Sequence, residues 1–249
     1  MGKLDGKVAL VTGSGRNIGR ATVLKLAAEG ANVVVNARSN QAEADAVAQE
    51  ARALGVKALS VLADVANKAQ VDSMVSRAMA EFGRIDILIN NAAIRPHKPF
   101  TELTLQDWEA VRGVVLDGAF YCTRAVINTM VANHYGRILF FTGEGAFAGG
   151  AMRAHVSAAK MGLVGMARSL AAEFAPQNIR VNVVCPGSID TSRVHPEWYQ
   201  GRTPNAAGIP LGRQGTPEEI AATCLFLVSD DGGFITGQTI HVNGGVAFY

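Results

Sequence analysis

The chain has 249 residues, enough for one α/β domain with a full core, and 49% of them are hydrophobic. A net charge of +2, with no basic run, argues against nucleic acid or an anionic membrane as the main partner. Cys122, Cys185 and Cys224 are scattered and form no Cys-x-x-Cys pair, so they read as core residues of a reducing compartment rather than a disulfide frame or zinc site. The first apolar run, Val8 to Val11, is too short for a signal peptide or a membrane span, which makes a cytoplasmic protein the expectation.

Short apolar runs alternate with helical patterns along the whole chain, as in βαβ units around a parallel sheet. Strands are predicted over 8–11, 32–36, 57–61, 86–89, 137–141, 180–184 and 239–242. Helices are predicted over 19–29, 41–54, 68–82, 105–133, 151–174 and 217–229. The expected fold class is therefore α/β, one Rossmann-type, doubly wound domain over 1–249, with a seven-stranded parallel sheet and helices on both faces. One long irregular stretch, about 188–215, carries His195, Pro196, Glu197, Trp198, Tyr199 and Arg202. Loops of that length in a compact domain are usually functional, so it is read as a segment covering substrate.

Thr12-Gly13-Ser14-Gly15-Arg16-Asn17-Ile18-Gly19 lies between the first strand and the first helix. Glycines there let the backbone approach a pyrophosphate at the helix N-terminal amides. Asn17 is the non-Gly residue type most tolerant of left-handed geometry, so the turn should survive at that position. The second strand ends Val35-Asn36-Ala37-Arg38, without the Asp or Glu that would hydrogen-bond a ribose 2′-hydroxyl. Arg16 and Arg38 suit a 2′-phosphate instead, since guanidinium groups bind phosphate through paired charge-assisted hydrogen bonds. NADP(H) is the expected cofactor.

With Asn90-Asn91-Ala92-Ala93, Lys160 and Pro186-Gly187-Ser188-Ile189-Asp190-Thr191, this chain resembles the short-chain dehydrogenase/reductase superfamily from Lys7 to Gly245. The resemblance implies cofactor contacts from Gly13, Arg16, Asn17, Ile18, Gly19, Arg38, Asp64, Val65, Asn91, Lys160, Pro186, Gly187, Ile189 and Thr191. It also implies a small-molecule substrate, a lid over 188–215 and a homodimer or homotetramer built on the long apolar helices.

The resemblance further implies a Tyr four residues before Lys160 as proton donor, a Ser on a strand end and an Asn on the long helix. Matching without gaps puts Val156, Gly143 and Val115 at those positions, and only Lys160 is kept. General acid–base help contributes about 10²–10⁴-fold, so ordinary alcohol oxidation should be crippled. One branch of the family, the 2,4-dienoyl-CoA reductases, also lacks this Tyr. It is similar here in His155 five residues before Lys160 and in Val115-Leu116-Asp117-Gly118-Ala119-Phe120. Asp117 stands where that branch carries a polar residue. Glu144 is the better acid candidate, because a carboxyl beside apolar surface can have a raised pKa. His155 lies about 100° round the helix from Val156, so a packing role is at least as fitting. Arg95, His97, Thr142 and Arg153 flank the same region, and no histidines share metal-ligand spacing, so no metal is expected.

Three functions remain open on these residues. The first is an NADP(H)-dependent oxidoreductase with a non-standard proton path, reducing a conjugated C=C, an imine or an activated carbonyl. The others are a non-redox lyase or dehalogenase on the same fold, and an NADPH-binding regulatory protein without turnover.

Overall fold

In the computed structural model, residues 2–191 and 206–249 are described. Seven parallel strands form one sheet in the order β3-β2-β1-β4-β5-β6-β7. They are β1 (Val8–Val11), β2 (Asn32–Ala37), β3 (Ala58–Leu62), β4 (Ile87–Asn90), β5 (Gly136–Phe141), β6 (Ile179–Pro186) and β7 (Thr239–Val242). Every strand predicted from an apolar run is present. The central strands β1, β4 and β5 are buried residue by residue, because helices cover both faces of the sheet.

Two cores lie on the two faces. Leu10, Leu88, Ile138 and Phe140 point to one, against Val71, Met74, Val126 and Leu163. Ala9, Val11, Val33 and Leu139 point to the other, against Leu26, Val47, Ile220 and Leu227. The first core is covered by α3 (Lys68–Phe82), α5 (Gly118–Ala132) and α7 (Ala154–Phe174). The second is covered by α1 (Asn17–Ala28), α2 (Gln41–Ala53) and α8 (Pro217–Val228). The strand order reverses between β1 and β4, and the crevice outside the carboxyl ends of such strands is where this architecture binds ligands.

Local chemistry sets the helix starts. Asn40 and Asn67 accept hydrogen bonds from the backbone amides of Glu43 and Gln70 at the heads of α2 and α3. Thr104 and Thr216 form capping boxes with Asp107 and Glu219, opening α4 (Leu105–Arg112) and α8. The head of α1 differs, because Arg16 supplies no side-chain cap to it.

Two expectations need correction. The single helix predicted over 105–133 is three pieces, α4, a π-helical segment over Gly113–Asp117, and α5. A short helix, α6 (Glu144–Phe147), follows β5 and was not predicted. Of the predicted lid, positions 192–205, with His195, Pro196, Glu197, Trp198, Tyr199 and Arg202, lie outside the described residues. The flanks meet where Ile189 bridges Gly215. Cys122, Cys185 and Cys224 are buried free thiols. No described helix is long and apolar enough to cross a membrane, and the described residues contain no cluster of metal-ligating side chains.

Candidate active site

A cleft of about 540 Å³ opens at the carboxyl ends of the strands. Its volume falls in the range of roughly 300–1,000 Å³ typical of ligand pockets. All fourteen residues named from the sequence as cofactor contacts line it, from Gly13, Arg16, Asn17, Ile18 and Gly19 to Pro186, Gly187, Ile189 and Thr191. Arg38, Asp64, Val65, Asn91 and Lys160 complete that set.

The glycine loop is strapped in place from three sides. Asn36 Oδ1 accepts from the Gly13 amide at 3.1 Å, and the Ser14 amide donates to Asn36 O at 2.7 Å. Asn91 Nδ2 donates to Thr12 O and Gly13 O, each at 2.9 Å. The amides of Asn91 and Ala92 both donate to Thr12 Oγ1. Asn17 adopts φ 51°, the left-handed geometry expected of it in place of glycine. Gly19 permits the closest approach in the loop, since a Cβ there would lie 2.5 Å from Gly13 O and 2.8 Å from Asn91 Nδ2.

Lys160 sits on α7, only 5% exposed, and its Nζ donates to Phe141 O at 2.5 Å. Burial, followed by the neighbouring guanidiniums of Arg95 and Arg153, lowers its pKa to about 7. One helical turn earlier, Val156 is buried in the core. Gly143 lines the cleft with an extended backbone, and a Cβ there would meet nothing nearer than Pro186 O at 4.0 Å. The space for a side chain exists, and no side chain fills it.

The proposed acids separate in space. Glu144 heads α6 beside Gly143, outside the cleft lining, with its pKa raised by burial. Asp117 ends the π-helical segment and accepts from Arg112 Nε at 3.0 Å. It does not line the cleft, and α5 continues from the π turn with Asp117 paired to Arg112. His155 is buried on the first turn of α7, also outside the lining, and neither ring nitrogen has a hydrogen-bond partner. Desolvation lowers its pKa, opposed by Asp107 and aided by Arg153 and Lys98. Its surroundings fit the packing role.

Several lining residues were not singled out as site residues from sequence. Asn36 is one: a polar residue ending an apolar strand reads as a turn signal, and only the fold shows it bonding the loop. Val114 is another, and Arg95 and Thr142, expected to flank the reacting region, also line the cleft. Thr142 Oγ1 is buried without a hydrogen-bond partner, and the head of α1 lacks a side-chain cap. These groups fit a polar, anionic ligand such as a nicotinamide dinucleotide, whose pyrophosphate suits helix N-terminal amides.

Comparison with known proteins agrees with this geometry. A family described as enoyl-(acyl carrier protein) reductase matches residues 13–247. The chain belongs to the short-chain dehydrogenase/reductase superfamily. It is 41% identical, over the full length of both chains, to a 3-oxoacyl-[acyl-carrier-protein] reductase of Synechocystis. It is 40% identical to the (2S)-[(R)-hydroxy(phenyl)methyl]succinyl-CoA dehydrogenase subunit BbsD of Thauera aromatica, over 99% of this chain and 98% of that one. A 3-oxoacyl-[acyl-carrier-protein] reductase of Aquifex aeolicus is 41% identical over 98% of each chain. Full-length likeness to reductases and a dehydrogenase supports oxidoreductase activity, on a fold that suits a nicotinamide dinucleotide.

Proposed function

We propose that this chain is an NADP(H)-dependent oxidoreductase that reduces a conjugated C=C, an imine or an activated carbonyl without a tyrosine proton donor. The observation that carries the reading is Lys160 kept in the cleft while Gly143 and Val156 leave the neighbouring hydroxyl positions empty. When bound, NADP(H) supplies the hydride. Arg16 and Arg38 hold its 2′-phosphate, and Ala37 at the end of β2 offers no carboxylate to repel it. The glycine loop and the head of α1 hold its pyrophosphate.

The other residues divide the remaining work. Lys160 anchors the nicotinamide side of the cleft. Glu144 heads α6 beside Gly143 with its pKa raised by burial, and it is the acid assigned to deliver the proton. The activities in the relatives' names, reductase and dehydrogenase, support hydride chemistry over a lyase or dehalogenase. Exposed Leu105, Trp108 and Phe120 near the long helices support assembly as a homodimer or homotetramer.

NADPH oxidation against enones, enoyl thioesters, imines and ketones tests the reading. Conjugated or activated substrates should turn over while simple ketones do not. The double variant Gly143→Ser/Val156→Tyr should gain weak ketone reduction, because Lys160 is already placed beside a new phenol. Ordinary turnover of simple ketones by the unaltered protein would refute the proton path. Tight NADPH binding with no turnover on any class would favour a regulatory role.

A further inference from the structure

Arg95 shares the cleft with Lys160, and a second arginine, Arg153, stands against α6 just outside the lining. Arg95 lies on the irregular segment after β4 and lines the cleft together with Gly143 and Lys160. Arg153 precedes α7, and its guanidinium lies against α6. A Cβ on Gly145 would come within 2.8 Å of Arg153 Nη1, and one on Gly150 within 3.3 Å of its Cδ, so two glycines make room for this side chain. Arg153 Nε is buried and hydrogen-bonds to nothing.

The charges are close enough to feel one another. Burial and then Arg153 lower the Arg95 pKa to about 10, burial lowers that of Arg153, and both guanidiniums act on Lys160. Among the described residues no carboxylate pairs with either arginine. Asp107 pairs with Lys98, Asp117 with Arg112 and Glu219 with Arg213. Glu144 is near in sequence, and it forms no ion pair with Arg153. Buried positive charge left without a partner is destabilising, and it persists where a ligand supplies the counter-charge.

That ligand is not the 2′-phosphate expected at Arg38. Arg38 follows β2, whereas Gly143 and Arg153 lie beyond β5, three strand spacings or about 14 Å across the sheet. We propose that Arg95 and Arg153 form a carboxylate subsite beside Lys160, and that the substrate is a small oxo, imino or unsaturated acid. The guanidinium fork matches two carboxylate oxygens, and its position beside Lys160 puts the carboxylate next to the reducible bond. A carboxylate there also makes the adjacent carbonyl, imine or alkene an activated one. This subsite rests on the reading of the cleft given above, and deepens it by naming the substrate class.

Calorimetric titration of the NADPH-mixed protein with pyruvate and benzoate, each against its neutral amide, tests the subsite. Inorganic phosphate and coenzyme A form separate arms. Each acid should bind at least about tenfold tighter than its amide, and Arg95→Gln and Arg153→Gln should each erase that difference. Arg38→Gln should leave it intact. Both subsite variants should unfold at the same temperature as the unaltered protein or higher, since each removes a half-buried charge that pairs with no carboxylate of the described residues. The acids should raise the melting temperature of the unaltered protein and of Arg38→Gln, and of neither subsite variant.

Equal binding of acid and amide, absence of acid binding, or a preference that survives Arg95→Gln would overturn the subsite. Phosphate or coenzyme A binding as well as the acids, through the same arginines, would overturn the carboxylate assignment. The two readings fail separately. Acid binding without NADPH binding leaves the subsite standing and removes the oxidoreductase reading. Turnover of neutral substrates with NADPH and no acid preference does the reverse.

Discussion

Replacing Lys160 with Met should stabilise the protein below neutral pH. The ammonium is buried, and its pKa falls from 10.5 to about 7, first through desolvation and then through Arg95 and Arg153. Between those two values the unfolded chain carries a proton on this lysine that the folded chain does not. Stability attributable to this residue therefore rises as pH climbs from about 7 toward 10.5, and the penalty is at full size below 7. The fall corresponds to a ceiling of roughly 5 kcal/mol. Met has similar length and no charge, and it forfeits the hydrogen bond to Phe141 O, which subtracts about 1 kcal/mol. Urea unfolding of the cofactor-free protein at pH 6 should show K160M more stable by at least about 2 kcal/mol, with the gap closing at pH 10. The buried Cys185 thiol, pushed up to about 12, stays protonated in the fold, and its ionisation in the unfolded chain is common to both proteins, so it cancels in the comparison. K160M less stable at pH 6, or a gap that ignores pH, would refute the reasoning.

Two more substitutions probe the dinucleotide half of the cleft. Arg38→Asp replaces a phosphate partner with a repelling carboxylate, and fluorescence titration should show the NADPH-over-NADH preference falling about 10–100-fold; equal affinities in the unaltered protein would sink the assignment. Gly19→Ala places a Cβ 2.5 Å from Gly13 O and 2.7 Å from Ser14 Cα, both backbone atoms that cannot rotate aside. Melting and titration should show about 1–3 kcal/mol of lost stability with weakened NADPH binding, and a variant matching the unaltered protein in both would contradict the packing argument.

The sheet was legible because its strands are buried on both faces, so runs such as Val8 to Val11 and Ile87 to Ile89 stand out without alternation. The left-handed turn at Asn17 was legible for a different reason, the tolerance of that side chain for positive φ. The π-helical turn at Gly113–Asp117 was not, because one widened turn shifts an apolar pattern by a single residue and leaves the run over 105–133 looking continuous. Asp117, at the end of that turn, pairs with Arg112. Asn36 and Arg153 were illegible as anchors because their partners come from elsewhere in the chain. Asn36 bonds residues 23 to 27 positions away, and the burial of Arg153 depends on glycines of α6 and the turn after it.

The two halves of the cleft differ in a way that bears on whether the protein turns over at all. Around β1 and β2, Thr12, Gly13 and Ser14 of the glycine loop are tied to Asn36 and Asn91 in a hydrogen-bonded frame, which stabilises the fold with or without a ligand. Around β5 and α7 the arrangement runs the other way. Thr142 Oγ1 and Arg153 Nε are buried without partners, and Arg95 and Lys160 are desolvated beside each other. A protein that only sensed a dinucleotide would gain stability from almost any neutral residue at 95, 153 or 160 and would lose no dinucleotide contact at the first two. Their joint presence is what a site needs when it must hold a negatively charged group against the nicotinamide side of the cleft. If the native protein melts higher with a small acid and NADPH together than the two separate shifts would add to, both ligands occupy the cleft at once, as hydride transfer requires. A combined shift no larger than the greater of the two would mean that they compete, and would return the weight to a protein that binds its cofactor without using it.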